Sequence, residues 1–329
     1  MEVVMQPLAS IVVITYNQEK SLPVTLDSLL AQKTSFPFEI VVGDDCSKDG
    51  TRAVIADYAQ RYPEIVRPIY NEHNLGILGN YASTLSQCRG KYRSACAGDD
   101  FWNDPQKLQM QVDIMESDSE IGLVYTDVYM DSVATGEQFM KRCKDPEEDT
   151  FTQLLRGCFI AAPTACFRAC LLEFVDFDEF RRLGFIMEDY PMWLIFSLHS
   201  KFYHLKRPTV TYRIDRNYIN DAKAVSLHAC EFDEGTTAVR LHFRNLYPDR
   251  TPLTAEEIED AHSRICYLAG LNMNDRMLTK EYVDKVHART PYVKRLSRIS
   301  SSPLFFKAYQ AYRRVTGKTR TPLQMYFGQ

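Results

Sequence analysis

Adjacent acidic residues occur at three places in the sequence where apolar runs meet polar segments. The first pair, Asp44–Asp45, ends the run in FEIVVGDD, the second, Asp99–Asp100, follows YRSACAG, and the third, Glu188–Asp189, opens MEDYPMWLIFSLH. Neighbouring carboxylates repel one another, so a divalent cation or a hydrogen-bond donor on a ligand would stabilise them. Their oxygens favour Mg²⁺ or Mn²⁺, which commonly accompany phosphates. The pairs therefore predict a cation beside a phosphorylated ligand.

Each pair also has a purely structural interpretation. Asp45 or Asp49 can cap the helix that follows, because an Asp before a helix accepts backbone N–H bonds. The pair Asp99–Asp100 can be a solvated turn, and Glu188–Asp189 can complement a helix dipole. The order of the pairs favours a shared site, since ligands of an open α/β sheet bind outside the carboxyl ends of its strands.

Motifs of several other enzyme classes are missing. No GxGxxG follows the first apolar run, and GxxxxGK[ST], HExxH and GxSxG do not occur, which disfavours glycine-rich phosphate loops, zinc proteases and serine hydrolases. The nine cysteines are odd in number and lack CxxC spacing, so a disulfide framework or structural zinc is not indicated. A phosphate site must then be formed by a cation and side chains.

Strand and helix patterns alternate along the first hundred residues, which favours a parallel sheet flanked by helices. The runs SIVVIT and EIVV are typical of strands buried on both faces. Further predicted elements are helices over 21–32, 80–88 and 105–115, strands at 67–70, 92–97 and GLVYTDVYM, and a surface loop or lid over 131–150. The second half adds a strand at IAAPTACFR, a helix at MEDYPMWLIFSLH and a strand pair, KFYHLK and TVTYR. We therefore expect an α/β domain over residues 1–220 and a helical C-terminal region with a basic tail over 221–329.

The charge is unevenly distributed in a chain of ordinary globular composition, with 329 residues, 45% of them hydrophobic and 25% charged. Residues 285–329 contain ten Lys or Arg and no Asp or Glu, so the net charge of -4 divides into +10 for this tail and -14 for the rest. No apolar run approaches the ~18 residues of a membrane span, and no secretory signal is present. The expected location is cytoplasmic.

The tail contains an amphipathic helical pattern, LFFKAYQAYRRV. Lys307, Arg313 and Arg314 are expected at the edge of an apolar face made of Leu304, Phe305, Ala308, Tyr309, Tyr312 and Val315. Such a helix can lie in the surface of an anionic bilayer, which predicts peripheral contact of residues 285–329 with the inner face of the membrane. The alternative is a helix docked on the protein's own core.

Four segments in order, SIVVITYN, VVGDDCSKDGT, GKYRSACAGDDFW and MEDYPMW, resemble the inverting glycosyltransferases of family 2. The resemblance covers about residues 8–215. It implies the GT-A fold, with a Rossmann-like, mostly parallel central sheet flanked by helices, and a nucleotide-sugar donor. It also implies transfer of one sugar, from a UDP-sugar, to a hydroxyl of a glycan or lipid-linked acceptor in surface polysaccharide synthesis.

The resemblance assigns roles to individual residues. Asp45 would accept a hydrogen bond from uracil N3–H, Asp100 would coordinate Mn²⁺ or Mg²⁺, and Asp189, beside Glu188, would be the catalytic base. The nucleotide site as a whole would consist of Thr15, Tyr16, Asn17, Glu19, Asp44, Asp45, Asn74, Gly76, Asn80 and Asp99.

The sequence departs from the family pattern in two places. Many members have Asp-x-Asp-Asp at the metal motif, where this chain has Ala97 at the first position, and many have His after the Tyr-Arg motif, where Asp215 is the candidate third metal ligand here. The QxxRW motif of processive synthases is absent, which favours one transfer per encounter.

Three other functions fit the sequence less well than glycosyl transfer. A non-catalytic nucleotide-sugar binder of the same fold is the main alternative, and donor hydrolysis would discriminate it. A phosphoacceptor receiver domain has ~120 residues and fits this length poorly. Nucleic-acid binding is opposed by the charge of -14 outside the tail.

Overall fold

The computed structural model describes residues 6–132, 138–214 and 222–316. The chain divides into two compact units, the first with residues 1–131 and 137–213 and the second with 132–136 and 214–329. In the first unit the apolar runs form four parallel strands, β1 (Ala9–Thr15), β2 (Phe38–Asp44), β3 (Val66–Tyr70) and β4 (Tyr92–Ala97). Their order in the sheet is β3-β2-β1-β4. Because β1 is paired on both sides and covered by helices, Ile11, Val12 and Val13 are buried.

Helices of the first unit connect and flank these strands. They are α1 (Leu22–Leu30), α2 (Thr51–Arg61), α3 (Gly76–Ser86), α4 (Lys107–Ser117), α5 (Thr150–Arg156), α6 (Phe177–Arg182) and α7 (Asp189–His199). In α1, Leu22, Leu26 and Leu29 recur at helical spacing and are fully buried in the core. The predicted α/β architecture is confirmed.

Shorter and antiparallel strands extend the sheet beyond β4. They are β5 (Phe101–Trp102), β6 (Ile121–Ser132), β7 (Gln138–Lys141), β8 (Cys166–Arg168) and β9 (Lys201–Ile214). The sheet continues from β4 in the order β8-β6-β9-β5, and β7 pairs with β6. The pairing of β4 with β8 is antiparallel, so the parallel part of the sheet ends at β4.

Three secondary-structure predictions between residues 131 and 214 are wrong. The predicted pair KFYHLK and TVTYR is one continuous strand, β9, because the backbone angle of Pro208 is compatible with an extended chain. Of IAAPTACFR only the last three residues are a strand, and Ala162–Thr164 form a 3-10 turn. The predicted loop over 131–150 contains β7.

The second unit is helical where the structure describes it. Its helices are α8 (Ala222–Leu246), α9 (Ala255–Met273), α10 (Arg276–Lys285), α11 (Pro291–Ser300) and α12 (Pro303–Val315). A capping box between Thr254 and Glu257 starts α9. The buried core contains Tyr267, Leu271, Val283, Val286, Val293, Leu296 and Phe306. Across the described ranges, no helix combines the length and apolar character needed to cross a bilayer.

Gly90 allows β1 and β4 to approach at the start of their pairing. Its N–H donates to Ser10 Oγ at 2.9 Å, and a Cβ at this position would lie 2.6 Å from the backbone carbon of Ala9 and 2.7 Å from the nitrogen of Ser10. Both neighbours are backbone atoms, which cannot rotate away. A side chain here would therefore push the two strands apart.

We predict that Gly90→Ala lowers the free energy of unfolding by about 1–3 kcal/mol, as overpacking typically does. Urea unfolding followed by circular dichroism measures this change. The control is Ser86→Ala at the exposed end of α3, which should change stability by less than ~0.5 kcal/mol. Equal unfolding curves for the two variants would contradict the close packing at Gly90.

Candidate functional site

The carboxyl ends of β1, β2 and β4 lie side by side. In the sheet register Thr15 is paired with Asp44, and Ile14 with Ala97. The residues that follow these strands therefore meet at one edge of the sheet. This edge includes the predicted residues Thr15, Tyr16, Asn17, Glu19, Asp44, Asp45, Asp99 and Asp100.

Asn17 and Glu19 hold the loop after β1 against the loop after β2. Asn17 Oδ1 accepts the N–H of Lys48 at 2.7 Å, and the Asn17 backbone has φ of 54°, a left-handed conformation that Asn tolerates well. Glu19 Oε2 accepts the N–H of Gly50 at 2.7 Å. Tyr16, which directly precedes Asn17, is 46% exposed. These contacts leave a tyrosine ring in solvent beside a rigid loop pair, where a flat ligand can stack.

Asp44 is fully buried and is neutralised by the protein itself. Its Oδ2 forms an ion pair of 2.6 Å with Arg52 Nε and accepts the N–H of Ser47 at 3.2 Å. Asp44 therefore has a structural role at this edge of the sheet, because its contacts stabilise the loop after β2.

Asp45 is also buried, and it organises the start of α3. Its Oδ1 accepts the N–H of Leu75 at 2.7 Å and Asn71 Nδ2–H at 3.1 Å, and its Oδ2 accepts the N–H of Gly76 at 2.9 Å. Gly76 has φ of +72°, which favours glycine. A carboxylate has about four acceptor sites, so Asp45 retains capacity for one ligand donor.

Asn74 and Asn80 support the same turn. Asn74 Nδ2 donates to the backbone oxygen of Asp45 at 3.3 Å. Asn80 is buried, donating to the Gly43 oxygen at 3.0 Å and accepting from Asn71 Nδ2 at 3.0 Å. Asn71 was missed by the sequence analysis, although its position directly after the strand VRPIY was a signal of the kind that identified the acids.

Asp100, at the end of β4, is buried with little compensation for its charge. Its Oδ1 accepts the backbone N–H of Arg213 at 2.8 Å. Burial, followed by the charge of Asp99, raises the pKa of Asp100 well above its usual range. The guanidinium of Arg213 lies 4.7 Å from the centre of the Phe101 ring. Its Nη1 donates to the backbone oxygen of Asp99 at 3.4 Å. A cation would stabilise ionised Asp100 here.

Two buried oxygens beside Gly98 have no hydrogen-bond partner within the described ranges. They are Thr15 Oγ1 and Gln18 Oε1. Both would be contacted by a Cβ on Gly98, with Thr15 Oγ1 at 3.0 Å. Because buried polar atoms normally have partners, this glycine cradle fits a ligand or cation next to Asp99 and Asp100. Gln18 was not among the predicted residues.

The donor set fits a divalent cation only in combination with a ligand. No group of three or more His, Cys, Asp or Glu side chains in the part of the chain that the structure describes could hold a metal ion, and Asp215 lies outside the described residues. Mg²⁺-type sites commonly use one or two carboxylates and take further oxygens from phosphates and water. Asp100 matches that pattern.

Glu188 and Asp189 form an acid pair at the start of α7, in which Glu188 is buried and Asp189 is partly buried. Asp189 Oδ1 accepts the N–H of Tyr190 at 2.7 Å. Burial raises the pKa of Asp189 to about 6, and burial together with the charge of Asp189 raises the pKa of Glu188 to about 8. Because ionisation of one carboxyl disfavours ionisation of the other, the pair loses its two protons in separate steps, the second at higher pH than the first.

Helix α3 connects the acid pair to Asp45. The charges of Glu188 and Asp189 both raise the pKa of Tyr81, after the larger effect of its burial, which places the pair close to this tyrosine. Tyr81 follows Gly76 by five residues, about 7.5 Å along the helix axis. The structure thus brings the third acid pair to the helix that Asp45 caps.

Comparison with known families identifies the group to which these residues belong. Residues 10–179 match the family described as Glycosyl transferase family 2. The chain belongs to this family. The match includes the sheet edge and the loop of Asp45, whereas the Glu188–Asp189 pair lies beyond it.

Individual relatives agree with this assignment. An uncharacterized protein of Mycobacterium tuberculosis is 42% identical over 130 residues, which cover 37% of this chain and 38% of that protein. The UDP-Glc:alpha-D-GlcNAc-diphosphoundecaprenol beta-1,3-glucosyltransferase WfgD of Escherichia coli is 26% identical over 187 residues, 57% of this chain and 68% of that enzyme. The matched region thus spans little more than a third of the mycobacterial relative.

A solved structure shows the same fold. TarS of S. aureus, residues 1–349, in complex with UDP-GlcNAc, has a TM-score of 0.55 and 17% sequence identity, and the alignment covers 99% of this chain and 93% of that one. The GT-A fold expected from the four sequence segments is confirmed.

We predict that Asp45→Asn releases the turn at the start of α3 in this family 2 protein. The amide can accept only on one side, so its NH₂ group would face a backbone N–H of Leu75 or Gly76, at a typical loss of about 1–3 kcal/mol. Amide hydrogen exchange at these two residues should accelerate by at least ~10-fold. Asp57→Asn, on the exposed side of α2, is the matched control. Unchanged exchange in the Asp45 variant would refute the capping role.

Proposed function

We propose that the chain is an inverting glycosyltransferase that moves one sugar from a nucleotide diphosphate sugar to a hydroxyl of a glycan or lipid-linked acceptor, in the synthesis of a surface polysaccharide. The observation that carries the proposal is the sheet edge where Asp45 and Asp100 follow the strands on either side of β1, with the Glu188–Asp189 pair near enough to α3 to act on Tyr81. Family membership supports it.

The donor is proposed to be a UDP-sugar that binds at the edge formed by β1, β2 and β4. The exposed ring of Tyr16 stacks on the base, and the remaining acceptor capacity of Asp45 takes the uracil N3–H. Asp99 holds the ribose. The names of two similar proteins support uridine, since TarS was solved with UDP-GlcNAc and WfgD is named as a UDP-Glc enzyme.

Asp100 is proposed to hold Mn²⁺ or Mg²⁺, with Asp215 as a further ligand. When bound, such a cation stabilises the negative charge that develops on the leaving diphosphate. The chain contributes the surroundings: Gly98 lets the side chains of Thr15 and Gln18 approach the backbone beside Asp99, and Arg213 adds a positive charge there. The partnerless oxygens of Thr15 and Gln18 face the same cradle and can bind water or hydroxyl donors there.

Asp189 is proposed to act as the general base. It removes the proton of the acceptor hydroxyl while that oxygen bonds to the anomeric carbon, on the side opposite the bond to the diphosphate that breaks. The configuration at that carbon inverts, so an α-linked donor gives a β-linked product. Because ionisation of one carboxyl disfavours ionisation of its neighbour, Glu188 is proposed to stay protonated while Asp189 acts. General-base assistance of this kind contributes about 10²- to 10⁴-fold to a rate.

We predict that UDP raises the melting temperature of the native chain, and that Mn²⁺ enlarges this shift, because Asp100 would hold the cation and the cation would stabilise the charge of the diphosphate. Differential scanning fluorimetry with UDP, GDP, CDP and ADP, each with and without Mn²⁺, measures the shifts. Asp100→Asn should abolish the Mn²⁺ increment while retaining the shift with UDP alone. The same shift for all nucleotides would contradict the role of Asp45, and a Mn²⁺ increment that survives in the variant would contradict the role of Asp100.

We predict that Asp189→Asn lowers transfer by at least ~10²-fold while UDP binding stays nearly unchanged. Because the pKa of Asp189 is raised to about 6, the native rate should fall as pH decreases through about 6, well above the range of an ordinary Asp, and the variant should lack this limb. Product formation from UDP-glucose and UDP-GlcNAc measures the rate.

The control for this experiment is Asp113→Asn on the exposed face of α4, which should retain native turnover. Full activity of Asp189→Asn would exclude the base role. Donor binding by the native chain with neither transfer nor donor hydrolysis would favour the non-catalytic alternative.

A further inference from the structure

Helix α12 is held on the helical unit by one face. Phe306 is buried in the core together with Tyr267 and Val293. Gln310 Nε2 donates to the Leu271 oxygen at 2.7 Å, and Arg313 Nη2 donates to Asn272 Oδ1 at 2.8 Å. The alternative expectation, a helix docked on the protein's own core, is thus correct for this face of α12. Arg313 belongs to the docked face and not, as expected, to the edge of the apolar face.

The opposite face of α12 is apolar and exposed. Leu304 is 74% exposed, Phe305 62%, and Val315 88%. At 100° per residue they share an arc of about 120° with other exposed side chains, and the arc consists of Leu304, Phe305, Ala308, Ala311, Tyr312 and Val315. We call this set the outer face of α12. It contains no charged residue.

Exposed cations flank the outer face on two sides. On α11, Lys294, Arg295 and Arg298 line a groove with Pro291, Ile299 and Phe305, so they adjoin the Phe305 edge. On α12, Lys307 and Arg314 lie between the docked face and the outer face, on the side away from Phe305. Their angular positions around the helix axis are about 280–300° when Leu304 is set at zero. Residues 285–329 contain no Asp or Glu that would neutralise these cations.

We propose that the outer face of α12 and these five cations form a surface that docks on a membrane containing anionic lipid. Apolar side chains at this spacing can enter the boundary between headgroups and acyl chains, while basic side chains at their sides reach the phosphates. A second copy of the chain fits less well, because a symmetric contact would bring two sets of five cations together. The proposal is independent of the transferase activity.

Co-sedimentation of the full chain with lipid vesicles tests the surface. The chain should pellet with vesicles of phosphatidylcholine and phosphatidylglycerol, at least ~10-fold more strongly than with phosphatidylcholine alone, and high salt should weaken the binding. Leu304→Ser combined with Phe305→Ser should weaken binding to anionic vesicles by at least ~10-fold. Both positions are exposed, so the fold is retained, which a melting curve checks.

The matched control is Leu246→Ser combined with Met277→Ser, two exposed apolar residues elsewhere in the helical unit, which should bind vesicles like the native chain. No binding of the native chain to anionic vesicles, or equal binding by the two double variants, would overturn the proposal. A dimer of the native chain in sedimentation velocity that the Leu304/Phe305 variant loses would overturn it in favour of a second copy. UDP-induced stabilisation should be the same in all variants, so the surface and the nucleotide site are tested separately.

Discussion

The site depends on how buried carboxylates at one sheet edge are compensated. Asp44 has the guanidinium of Arg52, and Asp45 has three N–H donors. Asp100 is as deeply buried and has one recorded donor, the backbone N–H of Arg213. Leaving a buried charge with so little compensation is unfavourable, and this deficit lies beside the two partnerless oxygens at Gly98. The carboxylates at the end of β2 are therefore compensated within the protein. The carboxylate that follows β4 is suited to binding a charged ligand.

Helix α3 lies near both the sheet edge with Asp45 and the acid pair Glu188–Asp189. Asp45 fixes the first turn of α3 through the N–H groups of Leu75 and Gly76, and Tyr81 of the same helix lies close to Glu188 and Asp189. In the proposed mechanism a nucleobase at Asp45 and the general base Asp189 therefore both lie near the same helix. This arrangement gives a physical reason for donor and base to be held in a constant relation, which transfer to an attacking hydroxyl requires.

Much of the fold could be predicted from local patterns, and less of the site could. Buried β-branched runs identified β1 and β2, and the acids that follow β2 and β4 lie at one edge as the strand order requires. Asn71, Gln18 and Arg213 were missed because their contacts join segments far apart in sequence. The start of α3 was placed four residues late for the same reason, since its cap is the side chain of Asp45. In α12 the sequence pattern does not distinguish docking of the face that contains Phe306 from docking of the outer face.

The central claim is that Asp45 and Asp100 act on opposite ends of one bound nucleotide. A crystal structure of the native chain with UDP and Mn²⁺, using the anomalous signal of manganese, tests it most directly. The account predicts one manganese peak about 2.1 Å from a carboxylate oxygen of Asp100, shared with the diphosphate, and the uracil ring against Tyr16 with its N3 facing Asp45. Manganese bound away from Asp100, or uracil bound away from Asp45, would contradict the account.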